Sequence, residues 1–322
     1  MILALLGWSH AEVGPKSSPF ADSFKVLGAR IDFSRMNTHH QLVMSNTEER
    51  MAEIARVVLE FLKVGHISPG EARTLAGRLG FIRTYVSGRL LNVPLRILFD
   101  RAGSKSLRST LDPDLRDALV IIRAVALRPS PAVVTMDEPT RPYVLYSDGA
   151  VEGGRMTYGA ILFWPCGARS EFIMGEVPAI AAAAWARLGL KPAVAQTELY
   201  PVLLSKVVWH SPLRGQRLIC FTDNEVVREA LISGVTRHLA TRGLLTALAA
   251  VDSAIASSTW IARVPSQSNP ADAPSRGVVD IWSKPKLIAS PLLPFDKEGG
   301  LSLQSLAAMV EVSGENASAS PG

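Results

Sequence analysis

Four carboxylates stand where the chain could bring them to one centre: Asp148, Glu198, Asp223 and Asp272. Asp148 follows the β-rich apolar run 143–147, flanked by Pro142, and Gly149 is expected to let the chain turn away after it. Glu198 opens an apolar helical run, Asp223 ends a second strand, and Asp272 lies in a loop before the last patterned part of the chain. A strand ending in Asp-Gly is ordinarily a hairpin turn with a solvated carboxylate. The recurrence of acids at the other three places argues for a shared centre. Two unit charges about 4 Å apart repel by about 1 kcal/mol in water and about 4 kcal/mol at an effective dielectric of about 20. Four carboxylates in one cleft therefore either raise their pKa values or recruit divalent cations. An all-oxygen set without Cys or His partners favours Mg²⁺ or Mn²⁺ over Zn²⁺. Two such ions about 3.5–4 Å apart serve in-line phosphodiester cleavage, one activating water and the other stabilising the leaving oxygen.

The elements that must position these acids follow from periodicity. Strands are predicted over 143–147, 157–164 and 170–175 as an antiparallel meander, then an Ala-rich helix over 179–190. A helix over 196–209 sets Leu199, Leu203, Val207 and Val208 on its apolar side; Pro201 requires it to begin near Thr197. A strand over 217–222, helices over 224–233 and 239–256, and a strand over 260–264 complete an α/β layer fold with a mixed central sheet and flanking helices. Ahead of it, 24–33 reads as a strand, with 41–44 as a hairpin partner. Helices are expected after capping boxes at 45–48 and 68–71 and from Asp112 and Pro113 onward. The Pro-rich stretch 129–142 reads as a linker, which sets the domains at 1–44, 45–128 (mainly helical) and 143–277. The tail 278–322 is weakly patterned, and 313–322 is expected to be disordered.

At 322 residues the chain can bury two cores, and 48% hydrophobic with 20% charged content is that of a globular protein. The two cysteines, Cys166 and Cys220, make no disulfide framework, so the reducing interior of a cell, cytoplasmic or nuclear, is the expected setting. A net charge of +5 and a pI of about 9.4 allow a polyanionic partner without requiring one. Arg83, Arg89, Arg96, Arg101, Lys105 and Arg108 face only Asp100 as an acid in their stretch. They could neutralise phosphates, and an ordinary solvated face explains them equally well. No segment approaches a membrane span; 179–190 comes nearest and Arg187 interrupts it. Residues 1–8 are apolar but lack a positive n-region, so they read as part of a fold and as an interior start, not as a signal peptide.

The residues also carry a resemblance. Tyr146 to Ala150 (Tyr-Ser-Asp-Gly-Ala), Gln196 to Leu199 (Gln-Thr-Glu-Leu), Phe221 to Asn224 (Phe-Thr-Asp-Asn) and the run from Val264 through Asn269, Pro270, Ala271, Asp272, Ala273, Pro274 and Ser275 to Arg276 resemble the ordered Asp, Glu, Asp, Asp blocks of the ribonuclease H domain. The version carried by retroelement reverse transcriptases is the nearest. By that resemblance Asp148 is the first-strand acid, Glu198 the helix acid, Asp223 the fourth-strand acid and Asp272 the C-terminal acid. Segment 24–32 resembles the end of a polymerase palm, and 47–91, with Leu75 to Gly80, resembles the thumb and connection of DIRS-like and related retroelements. The implied activity is two-metal hydrolysis of the RNA strand in an RNA–DNA hybrid. Asp148, Glu198 and Asp223 would hold Mg²⁺ or Mn²⁺ most directly, and Asp272 would complete one shell. The six basic residues, Asn224 and Arg263 would touch nucleic acid, and a reverse transcriptase polymerase region is a further implied partner. Asn224 and Ser147 are candidates for sensing the 2′-hydroxyl, although turn capping fits them equally well. Three departures stand out, the first being that Asn269 stands one residue closer to Asp272 than in the usual pattern. No Tyr-x-Asp-Asp polymerase signature is present, so DNA synthesis by this chain alone is not expected; and Arg263 stands near the place where many members carry a His that assists product release. The rival reading is a catalytically silent relic that binds nucleic acid or a polymerase partner.

Overall fold

A computed structural model describes residues 21–86, 89–104, 110–136, 141–167, 169–189, 193–236, 238–279 and 285–311. The expectations for residues 1–8 and 313–322, and for Lys105 and Arg108, lie outside the described residues.

The first unit opens on a small antiparallel sheet. The strand predicted over 24–33 is two strands, β1 (Ser23–Val26) and β2 (Ala29–Asp32). Leu27 and Gly28 between them have φ of 49° and 80°, the two positive values of a two-residue hairpin turn. β3 (Gln41–Asn46) pairs with β2, and β4 (Ala132–Thr135) pairs with β3, giving the order β1-β2-β3-β4. The stretch expected to be a linker thus supplies an edge strand. Val133, Val134 and Thr135 are β-branched, and four residues are too few to show a period.

Helix α1 (Glu48–Val64) starts after Thr47 without a side-chain cap, so the capping box expected at 45–48 does not form. Ser45 and Asn46 still belong to β3, and buried Asn46 donates its Nδ2 to the Ile82 carbonyl. The second box does form at α2 (Pro69–Ile82), where Ser68 and Glu71 cap each other's backbone N–H. α3 (Asn92–Ala102) follows, then α4 (Pro113–Leu127), whose cap Asp112 accepts from the Leu115 N–H. Ile54, Val58, Leu75, Leu79, Leu98, Leu119 and Ile122 form the core between these helices.

The second unit is a six-stranded mixed sheet in the order β10-β7-β6-β5-β8-β9. β5 (Tyr143–Glu152), β6 (Arg155–Phe163) and β7 (Ser170–Glu176) make the meander. β8 (Arg217–Thr222) runs parallel to β5, and β9 (Ser258–Arg263) parallel to β8. Between them come α5 (Ala179–Arg187), α6 (Val194–Val208), α7 (Glu225–Ser233) and α8 (Leu239–Ile255). The tail contributes more than its pattern suggests: β10 (Lys286–Leu287) pairs with β7, and α9 (Leu303–Glu311) sets Leu306 and Val310 into the main core. On the other face, the four-residue helix Asp272–Ser275 lies across β5, β6 and β7.

The units share a boundary. Val93 of α3 belongs to the second unit's core, Asn92 donates to the Ser233 carbonyl at 3.1 Å, and Arg242 reaches Asp114 at 3.1 Å and Asp100 at 3.5 Å. Among the described residues no helix is long and apolar enough to cross a membrane.

Candidate active site

The strand that carries Asp148 does not end there. β5 continues to Glu152, and the chain turns at Gly153 and Gly154, with φ of 55° and 81°. Gly149 serves a close approach instead: a Cβ at this position would lie 2.4 Å from the Thr197 carbonyl oxygen, so only glycine lets α6 rest against β5. Gly159 sits opposite Asp148 in the β5–β6 ladder. A Cβ there would lie 2.4 Å from the Ser275 nitrogen and 2.8 Å from the Ala271 oxygen. One glycine therefore admits the helix bearing Glu198, and the other admits the turn bearing Asp272.

α6 begins at Val194, earlier than Pro201 was expected to allow. Proline offers no N–H to the carbonyl four residues back, which is Thr197, the same carbonyl that abuts Gly149. The missing helix bond falls where the helix meets the strand.

β8 pairs with β5 only as far as Phe221 opposite Tyr146, then leaves the sheet after Thr222. That departure opens the side of β5 next to Asp148, and Asp223 stands at the opening. Asp148, Glu198 and Asp223 each offer a carboxylate oxygen, all within 4.8 Å of one another. Asp148 and Glu198 are buried and Asp223 half-buried. Asn224 caps α7, its Oδ1 accepting from the Val226 N–H at 2.9 Å and the Val227 N–H at 3.1 Å. Its Nδ2 donates to Glu198 Oε1 at 2.9 Å. The Ser275 hydroxyl bonds Asp148 Oδ2. Buried Asn269 donates to the Ser147 carbonyl at 3.1 Å and accepts from the Ala271 N–H at 3.2 Å, pinning the C-terminal loop to β5.

Burial pushes the Glu198 carboxyl up to about 8; the Asn224 bond opposes this and the charges of Asp223 and Asp148 add to it. Asp148 is raised for the same first reason, with Ser275 opposing and Asp223 and Asp272 adding. Glu198 Oε2 and Asp223 Oδ1 are buried without any hydrogen-bond partner. Leaving such acceptors bare is costly unless something positive meets them. An oxygen-only set of clustered carboxylates with two bare acceptors fits a hard divalent cation such as Mg²⁺ or Mn²⁺.

Asp272 stands outside the three-acid cluster. Its Oδ1 accepts from Arg276 Nε at 3.0 Å, and Arg276 also reaches Glu152. Ser147, next to Asp148, points to the opposite face by strand alternation; it is buried and its hydroxyl donates to the Phe221 carbonyl at 3.4 Å. It is not placed to meet a 2′-hydroxyl. Arg263 is exposed at the end of β9, 3.9 Å from Glu225. Among the described residues of the basic stretch, three of the four guanidinium groups have a partner within the protein. Arg83 is exposed, but Arg89 bonds the Leu231 carbonyl, Arg96 pairs with Asp100 at 3.1 Å, and Arg101 donates to the Ile67 carbonyl at 2.9 Å. Backbone carbonyls of the protein thus take the guanidinium groups of Arg89 and Arg101.

Four residues of the site have no role in the sequence reading: Gly159, Asn269, Ser275 and Arg276. The first had a signal, a glycine inside a strand pattern, which marks a close backbone approach. The other three lie within the block around Asp272, where only the acid was assigned a role.

No protein-family model matches the chain, and no curated protein matches it. Among solved structures, it is similar to RNase H1 from the halophilic archaeon Halobacterium salinarum, 18% identical over 43% of this chain and 98% of that one, with a TM-score of 0.33. It is similar also to LC11-RNase H1 in complex with an RNA/DNA hybrid, 14% identical over 43% of this chain and 96% of that one, with a TM-score of 0.32. A foamy viral protease-reverse transcriptase in complex with double-stranded DNA is 12% identical over 75% of this chain and 38% of that one, with a TM-score of 0.27.

Proposed function

We propose that this chain is a metal-dependent endonuclease that hydrolyses the RNA strand of RNA–DNA hybrids. The observation that carries the reading is the pair of bare, buried oxygens, Glu198 Oε2 and Asp223 Oδ1, inside a cluster completed by Asp148. The order of the acids supports it: first strand, the helix packed on that strand, the end of the fourth strand of the second sheet, and a C-terminal turn.

Asp148, Glu198 and Asp223 would hold the cations, two Mg²⁺ or Mn²⁺ ions in this reading. Bound there, such ions supply Lewis acidity to a phosphodiester and neutralise charge on its oxygens. The protein's own groups do the rest. Asn224 occupies Glu198 Oε1 and leaves Oε2 for the centre, and the cap it forms on α7 fixes where its amide stands. Asp272, once released from Arg276, adds a fourth carboxylate. Among the described candidates, exposed Arg83 and Arg263 would meet the phosphate backbone of the duplex.

The antiparallel strands followed by α1 to α4 support reading 1–44 as the end of a palm and 45–128 as the thumb and connection of a retroelement reverse transcriptase. In that setting the chain cuts hybrid beside a polymerase region and makes no DNA itself.

The test is cleavage of a labelled RNA–DNA hybrid in Mg²⁺ and in Mn²⁺, beside Asp148→Asn and Asp223→Asn proteins and a DNA–DNA control. The expected result is cutting of the RNA strand alone, reduced by a factor of about 10³ or more in both variants. A folded protein that binds hybrid and cuts it in neither metal would instead be the silent relic.

A further inference from the structure

Ser275 is fully buried, and its hydroxyl lies against Asp148 Oδ2 and, at 2.9 Å, the Asp272 carbonyl. A hydroxyl has one proton to give. An ionised carboxylate takes it in preference to a neutral carbonyl, because a charge-assisted bond is about twice as strong as a neutral one. The seat of this serine is built and not incidental. Gly159, directly across the ladder from Asp148, leaves room for the Asp272–Ser275 turn to rest on the strand pair. Asn269 holds the loop that leads into the turn to the backbone at Ser147, one residue before the acid. Two independent contacts thus fix the serine relative to one carboxylate.

We propose that Ser275 is a positioning residue for the metal centre: it immobilises Asp148 through Oδ2 and so presents the other oxygen, Oδ1, to the space shared with Glu198 and Asp223. Asn224 does the same for Glu198 through Oε1, so two of the three acids are held by one neutral donor each. The device suits a cation centre, because each tether leaves the carboxylate its full charge. The inference rests on the metal-centre reading above and deepens it.

The experiment is Mn²⁺ binding to the full chain, measured by titration calorimetry without nucleic acid, for the native protein, Ser275→Ala and Ser275→Cys. Cysteine is nearly isosteric and is a weak donor, so it separates the hydrogen bond from packing. Loss of a partner that orients a metal ligand typically costs about 10–100-fold in affinity or activity. Both variants are expected to bind Mn²⁺ about 10-fold or more weakly, and hybrid cleavage is expected to lose kcat with KM for the hybrid unchanged. If Ser275→Ala does not fold, the cysteine protein alone decides. A folded Ser275→Cys protein with native Mn²⁺ affinity overturns the proposal, since packing alone would then suffice. Native protein that binds Mn²⁺ yet cuts no hybrid would sink the nuclease reading and leave the tether to be judged by the same titrations; native protein that binds no Mn²⁺ would remove both.

Discussion

At the scale of single residues, the centre is governed by how little water reaches its acids. In the metal-free protein Glu198 keeps its proton up to about 8, whereas an ordinary glutamate gives it up near 4.5. Between those values the folded chain binds more protons than the unfolded one, so stability falls as pH rises through the window. The melting temperature of metal-free protein is therefore expected to drop by about 5 °C or more from about pH 5 to about pH 9. Glu198→Gln should flatten that slope, and Mg²⁺ or Mn²⁺ should raise the melting temperature most at the alkaline end. A melting temperature that climbs across the window would show that Glu198 is not held as described. Arg263 is exposed at the end of β9, beside Thr222 in the ladder, and in the proposed function it would meet the phosphates of the duplex. Arg263→Ala is expected to weaken hybrid binding and to lower the slope of log affinity against log salt by about 1. An unchanged slope would place the duplex elsewhere. The three clustered acids were legible in the sequence because each falls at a recognisable element, whereas Asp272, read as their fourth member, stands outside the cluster. Their tethers were not: Ser275 and Asn269 are ordinary polar residues until β5 is seen beside them.

At the scale of elements, two glycines set how closely the backbone layers approach. Gly149→Ala would drive a methyl group to 2.4 Å from the Thr197 carbonyl, a contact with backbone that no rotamer relieves. The cost is expected to be about 2–3 kcal/mol, lowering the melting temperature by roughly 5–10 °C. Because α6 is what moves, Mn²⁺ affinity should fall in the variant that remains folded. Native melting and native Mn²⁺ binding in Gly149→Ala would mean that α6 does not need this contact. In the sequence, Asp148 and Gly149 read as the end of a strand, since Asp-Gly is a turn signature and the ladder to β6 that carries the strand onward depends on non-local pairing. The same limit hid the hairpin at Leu27 and Gly28 and the early start of α6 ahead of Pro201. Local signals place an element, and its partners decide where it stops.

At the scale of the whole molecule, the first unit is bound to the second through α3. Val93 lies in the second unit's core, while Leu95, Leu98 and Ala102 of the same helix lie in the first. Val93→Ala is expected to cost about 1–2 kcal/mol and to lower the unfolding of the second unit, although the residue precedes it by some fifty positions in the chain. Calorimetry showing a loss confined to the first unit would separate the cores. The mixed α/β character of the second unit was legible from alternating strand and helix periods. The value of the tail was not, because Leu306 and Val310 of α9 are apolar positions in a short helix whose burial depends on α8. The stretch from Pro129 to Pro142 was misread for a comparable reason: prolines signal a connection, yet β4 sits between them, zipped to β3. That placement governs how the chain can be divided. A piece begun at residue 130 would carry β4 off without its ladder partner, beside the already exposed Val133, Val134 and Met136, and would strip β3 of its neighbour, leaving two unpaired edges prone to aggregate. A piece begun at residue 141 leaves that small sheet whole in the part before it, which makes the end of the Pro-rich stretch a better cutting place than its start.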